Sequence, residues 1–172
     1  MNCRFRDVAR QLCRLAVLFA FVTLGATPVL ATGYDNALHG VKSFKAIYQI
    51  SQGNPKVANA VFWAVRNSYQ ATEVKKIKGD PEIAIVFHGP AVKLISSDKK
   101  FFDEAQWPEV QKFQQTLREM KKEGVKLEVC QYAAKVLGVD RETIIPEVDQ
   151  VGNGFVSVIG YQMQGYAVVR IP

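Results

Sequence analysis

Histidine and cysteine are scarce in this chain: two His and three Cys among 172 residues. His39, His88 and Cys130 lie far apart and no Cys-x-x-Cys pair occurs. That leaves no zinc-ligand spacing and no haem-attachment motif. A phosphate loop and a nucleophile elbow are also missing. Gly152-Asn153-Gly154 lacks the third glycine of a dinucleotide-binding turn. These absences give no reason to expect a metal or a cofactor. There is no internal repeat, low-complexity tract or interdomain linker. With 48% hydrophobic and 22% charged residues, the composition excludes a disordered or fibrous chain and suits one domain.

The N-terminus has a separate logic. Arg4, Arg6, Arg10 and Arg14 form a basic region opposed only by Asp7, and an apolar run follows from Leu15 to Leu24. A spanning helix needs about 20 apolar residues, and this run is about half that. Val29-Leu30-Ala31 supplies small or tolerated residues at a cleavage site. The layout predicts a signal peptide over 1–31, cut after Ala31, and a periplasmic or secreted protein without a stable membrane anchor. Residues 1–31 carry four Arg and one Asp, so their removal lowers the net charge from +6 to +3. Nucleic-acid binding then loses its compositional support. Cys3 and Cys13 leave with the same segment, so Cys130 remains as an unpaired thiol in an oxidising compartment.

In the remainder, 32–43 reads as an exposed arm and 44–172 as the domain. Phe44–Ile50 alternates and carries β-favouring residues, which predicts a strand. Asn54-Pro55 is a helix start, and Val57, Ala58, Val61, Phe62 and Val65 share the face of a helix reaching about Gln70. Tyr48, Phe62 and Trp63 fit strand and helix packing better than a base-stacking platform. Glu82–Phe87 suits a strand buried on both faces. A helix opened by Pro108 turns Val110, Phe113, Leu117 and Met120 inward, and a strand ends at Cys130. A short helix over 131–137 and a short strand over 148–151 follow. The last helix bears Phe155, Val158, Ile159 and Met163, and 166–171 closes as a strand. Strands alternate with helices, so the expected fold class is α/β, a parallel sheet with helices on both faces.

In such a sheet the carboxyl ends of parallel strands share one edge, and ligands bind in the crevice beside it. Four turns should gather there: Ser51-Gln52-Gly53, His88-Gly89-Pro90, Cys130-Gln131 and Gly152-Asn153-Gly154. Cys130 stands where a strand gives way to a helix, and backbone N–H groups at a helix start favour thiolate over thiol. A free cysteine is equally a small apolar core residue. His88 is a base, a donor to the sulfur or a spacer. Glu147 and Asp149 read as solvated charges.

The motifs resemble a known family. Residues 82–95, with His88-Gly89 and Leu94-Ile95, are similar to the "V-x-H-G-x-x-x-x-L-L" segment of DsrE/DsrF-like proteins. Gly124 to Cys130 resembles their "G-V-x-x-x-x-C" segment. Ala64-Val65-Arg66-Asn67 resembles "A-L-R-N", and Gln162 to Ala167 resembles the "L-Q-x-x-G-Y-A" ending. After Cys130, Gln131-Tyr132-Ala133-Ala134 stands where the family has a small polar "G-N-T". The resemblance implies a three-layer α/β/α domain of flavodoxin-like or Rossmann-like architecture with a five-stranded, mostly parallel sheet. It implies a homo-oligomer, a trimer or hexamer, and sulfur transfer through a persulfide on Cys130. His88, Gly89, Gln131 and Asn153 would form the supporting pocket, and the partner would be a sulfur donor or acceptor protein or a small thiol. Two alternatives remain: a non-catalytic oligomeric ligand-binding module, and a single-cysteine redox sensor.

Overall fold

The computed structural model describes residues 33–172. The expected signal peptide over 1–31, with Cys3 and Cys13, lies outside the described residues. The chain divides into Met1–Asp35 and Asn36–Pro172, and the fold is that of the second unit. Residues 33–43 make turns and bends without a helix or strand.

Five strands form one sheet: β1 (Lys45–Ile50), β2 (Glu82–Phe87), β3 (Lys126–Cys130), β4 (Asp149–Val151) and β5 (Ala167–Ile171). Their order is β4-β3-β2-β1-β5 and every pairing is parallel. Helices α1 (Pro55–Gln70), α2 (Thr72–Lys75), α3 (Trp107–Lys122), α4 (Gln131–Val136) and α5 (Gly154–Met163) make the connections. From β1 to β4 the chain steps in one direction across the sheet. Right-handed crossovers then place α1, α3 and α4 on one face. The return from β4 to β5 reverses direction and puts α5 on the other.

Strand alternation divides the core accordingly. Ala46, Tyr48, Ile50, Ile83, Ile85, Phe87, Leu127 and Val129 point to the first face and meet Phe62, Val65, Phe113 and Leu117. Phe62 and Phe113 pack edge to face with centroids 4.6 Å apart, and Phe87 stands 6.0 Å from Phe62. The opposite face is smaller: Ile47, Ala84 and Val86 meet Val158 and Tyr166.

Two expectations about faces are corrected. The inward stripe of α1 is Ala58, Phe62, Val65 and Tyr69, while Val57 is 43% exposed. The stripe is set by Tyr69, which reaches across to α3 and donates a hydrogen bond to Glu123 at 2.6 Å. Trp63, expected to pack, is 72% exposed. On α5 only Gly154 and Val158 are buried, and Phe155, Ile159 and Met163 face outward.

Candidate functional site: an apolar cavity at the carboxyl edge

The expected gathering of turns is observed. Gly53 lies so close to Pro90 that an added Cβ would stand 2.6 Å from the proline Cβ. His88 N donates to Ile50 O at 2.9 Å, tying the ends of β1 and β2 together. Gly89 takes φ +52, a left-handed conformation suited to glycine, and turns the chain into a short 3-10 helix over Gly89–Lys93. The segment beyond it is fixed from below. Buried Gln114 of α3 donates to Leu94 O at 3.0 Å and to Ser96 O at 2.9 Å. Ile145 N then donates to Ile95 O at 3.0 Å.

Cys130 is the last residue of β3 and the residue before α4. Leu127 and Val129 point into the larger core, so Cys130 alternates with them toward α5. There it meets Gly154: a Cβ at 154 would lie 2.9 Å from Cys130 Cβ and 3.1 Å from Val86 Cγ1. Asn153 caps α5, its Oδ1 accepting from Phe155 N at 3.0 Å. The glycine thus lets the start of α5 close on the end of β3.

The turns at His88, Cys130 and Asn153 border a cavity of about 510 Å³. His88, Gly89, Pro90, Cys130 and Asn153 line it, and Ala133, Val136 and Leu137 of α4 and Phe155 of α5 complete the wall. Cys130 is 8% exposed, less accessible than its position in the sequence suggests. Its side chain makes no capping hydrogen bond to α4, and that helix has only six residues. His88 Nε2 is buried and has no hydrogen-bond partner among the described residues. Burial, and secondarily the positive charge of Arg170, hold the imidazole below its ordinary value, so it is neutral near pH 7.

Of the residues expected in the pocket, His88, Gly89, Cys130 and Asn153 come together. Gln131 does not: it lines a neighbouring depression of about 450 Å³ with Lys135 and Arg141, its Nε2 3.5 Å from Gln150 Oε1. Ala133, Val136 and Phe155 line the cavity and were not among the residues expected there. For Phe155 the available signal was its place directly after the Gly152-Asn153-Gly154 turn. Two expected bystanders have structural partners: Glu147 pairs with Arg118 at 3.4 Å and Asp149 with Lys121 at 3.0 Å.

The motifs outside the cavity hold the fold. Arg66 bridges α1 to α3, donating to Glu119 at 2.7 Å and to Glu123. Tyr166 is buried, donates to Glu82 at 2.8 Å and stacks edge-on against Tyr161 at 4.9 Å.

A solved structure of a protein of unknown function from Methanobacterium thermoautotrophicum, MTH1491, is similar in fold, with a TM-score of 0.57 and 17% identity over 75% of this chain and 100% of its own. A conserved protein of unknown function from Bacteroides thetaiotaomicron, BT1422, aligns at a TM-score of 0.53 with 21% identity, covering 74% of this chain and 94% of its own. No functionally curated protein matches the sequence. The model of the DsrE/DsrF-like family matches residues 55–171, from the first helix to the last strand. That span takes in the cavity and every motif described above, and this chain belongs to the DsrE/DsrF-like family.

Proposed function

We propose that this chain is an exported thiol protein that accepts sulfane sulfur on Cys130 as a persulfide and relays it. The family is of the sulfur-relay type. The observation that carries the reading is Cys130 at the end of β3, on the wall of a cavity that also receives unpartnered His88. The step exchanges one S–S bond for another. Cys130 Sγ attacks the outer sulfur of a donor R–S–SH, a new Sγ–S bond forms, and the donor S–S bond breaks. The thiol proton passes to the departing R–S⁻, which leaves as R–SH. Neutral His88 has a free imidazole nitrogen on which that proton can rest in transit. Nothing is oxidised or reduced overall. Passing the sulfur to an acceptor thiol reverses the same exchange.

Export to the periplasm, or secretion, rests on the basic and apolar pattern of residues 1–31. A homo-oligomer, trimer or hexamer, is part of the proposal. Its support is α5, where Phe155, Val156, Ile159 and Met163 are all exposed. The partner in relay is a sulfur donor or acceptor protein, or a small thiol.

Incubation of the purified protein with a persulfide donor tests the reading. Peptide-resolved mass should give one added sulfur on Cys130, removable by a reductant, and Cys130→Ser should abolish it. His88→Ala should slow loading without abolishing it. An oxygen adduct in place of sulfur would point to a redox sensor. The burial of Cys130 favours a second reading, a ligand-binding module that keeps the cavity without the chemistry. In that case the cavity binds ligand and Cys130 acquires no sulfur.

A further inference from the structure

We propose that the cavity selects sulfane-sulfur carriers that bear an apolar group, alkyl or aryl persulfides, over compact inorganic anions such as thiosulfate. This rests on the reading of Cys130 as the sulfur acceptor and names the class of donor. Among the described residues, no Lys, Arg, Asp or Glu lines the cavity. Of its polar side chains, Asn153 already caps α5 and His88 carries no charge near pH 7. The rest of the wall is Pro90, Ala133, Val136, Leu137, Phe155 and the ring of Tyr132. A compact dianion entering such a space loses its water, gains no opposite charge and has no apolar group to offset that cost. An apolar group entering it releases water from both surfaces. Lys135 and Arg141 border the separate depression beyond Tyr132, and Arg170, whose charge reaches His88, lies outside the lining. The volume of about 510 Å³ exceeds what a two-sulfur inorganic ion needs and falls within the range of small organic ligand sites. Val136, 82% exposed, stands at the rim with its side chain unpartnered. A hydrocarbon group on the donor would cover it while the outer sulfur reached Cys130.

The test compares loading of the Cys130 peptide from benzyl persulfide and from thiosulfate. Each rate is divided by that of free cysteine with the same donor, which removes the donors' intrinsic reactivities. The normalised preference for benzyl persulfide should be at least about tenfold, the scale on which pocket contacts discriminate substrates. Val136→Lys, at an exposed site that spares the fold, should cut benzyl persulfide loading several-fold and raise loading from thiosulfate. Equal normalised rates, unmoved by Val136→Lys, would overturn the inference and leave Cys130 as acceptor. Loading from neither donor would overturn the acceptor reading itself, and the inference with it.

Discussion

Gly154 sets how closely α5 approaches the end of β3. A methyl group there would press on Cys130 Cβ and Val86 Cγ1, neither of which is the far end of a flexible chain. Gly154→Ala should therefore destabilise by about 1–3 kcal/mol, as overpacking does, and should also disturb sulfur loading by displacing Cys130. Gly160, in the same helix, has nothing within 4 Å of an added Cβ, so Gly160→Ala should stabilise by about 0.5–1 kcal/mol. Denaturant melts of the two variants separate crowding from helix propensity. His88 makes a pH prediction. Its folded value lies below the ordinary 6.5, so below that pH the unfolded chain binds a proton that the folded one resists. Stability should be complete above about pH 6.5 and should fall as pH drops below it toward the folded value. His88→Gln should flatten that part of the profile. Of these residues, Cys130 and His88 were legible because one ends a strand and the other directly follows one. The burial of Cys130 was not, since it depends on a helix that begins more than twenty residues later.

Helix α1 illustrates how an element is legible while its orientation is not. Its bounds and its cap follow from Asn54-Pro55, and Asn54 Oδ1 accepts from Lys56 N at 3.0 Å and Val57 N at 3.1 Å. Two apolar stripes compete, however: Val57 and Val61 on one, Ala58, Phe62 and Tyr69 on the other, with Val65 near both. The second is buried because Arg66 and Tyr69 meet Glu119 and Glu123 across the α1–α3 seam. Phe62→Ala should then cost about 3–5 kcal/mol, and Val57→Ala less than about 0.5 kcal/mol. Equal costs in thermal or chemical denaturation would mean that α1 is rotated. Helix α5 is likewise legible as an apolar helix, but which of its residues face the core is not. One strand periodicity explains why: the α5 face of the sheet offers only Ile47, Ala84 and Val86 as an apolar floor. That floor is too narrow to bury a helix that is apolar nearly all round.

At the scale of the molecule, alternating strands and helices carried the parallel α/β class, and the sheet is parallel throughout. Assembly is a different matter, because a surface that buries itself against a second copy has the composition of a core. Phe155, Val156, Ile159 and Met163 on α5, with Val168 and Val169 on the edge strand β5, are all exposed. Exposed apolar groups clustered on one helix, as on α5, mark interaction sites in soluble proteins. Light scattering should therefore give a trimer or hexamer, and Ile159→Asp with Met163→Asp should shift it to monomer without unfolding it. A monomeric wild-type protein at micromolar concentration would contradict the assembly.

On the proposed function, Cys130, although mostly buried, reacts in the folded protein through the cavity. The alkylation rate of the Cys130 peptide with a small apolar reagent at neutral pH, in the native protein and in denaturant, tests this. Native modification should proceed at a rate comparable to or above that of the unfolded chain and be suppressed by prior loading with a persulfide donor. A Cys130 that stays unmodified until the protein unfolds would contradict it.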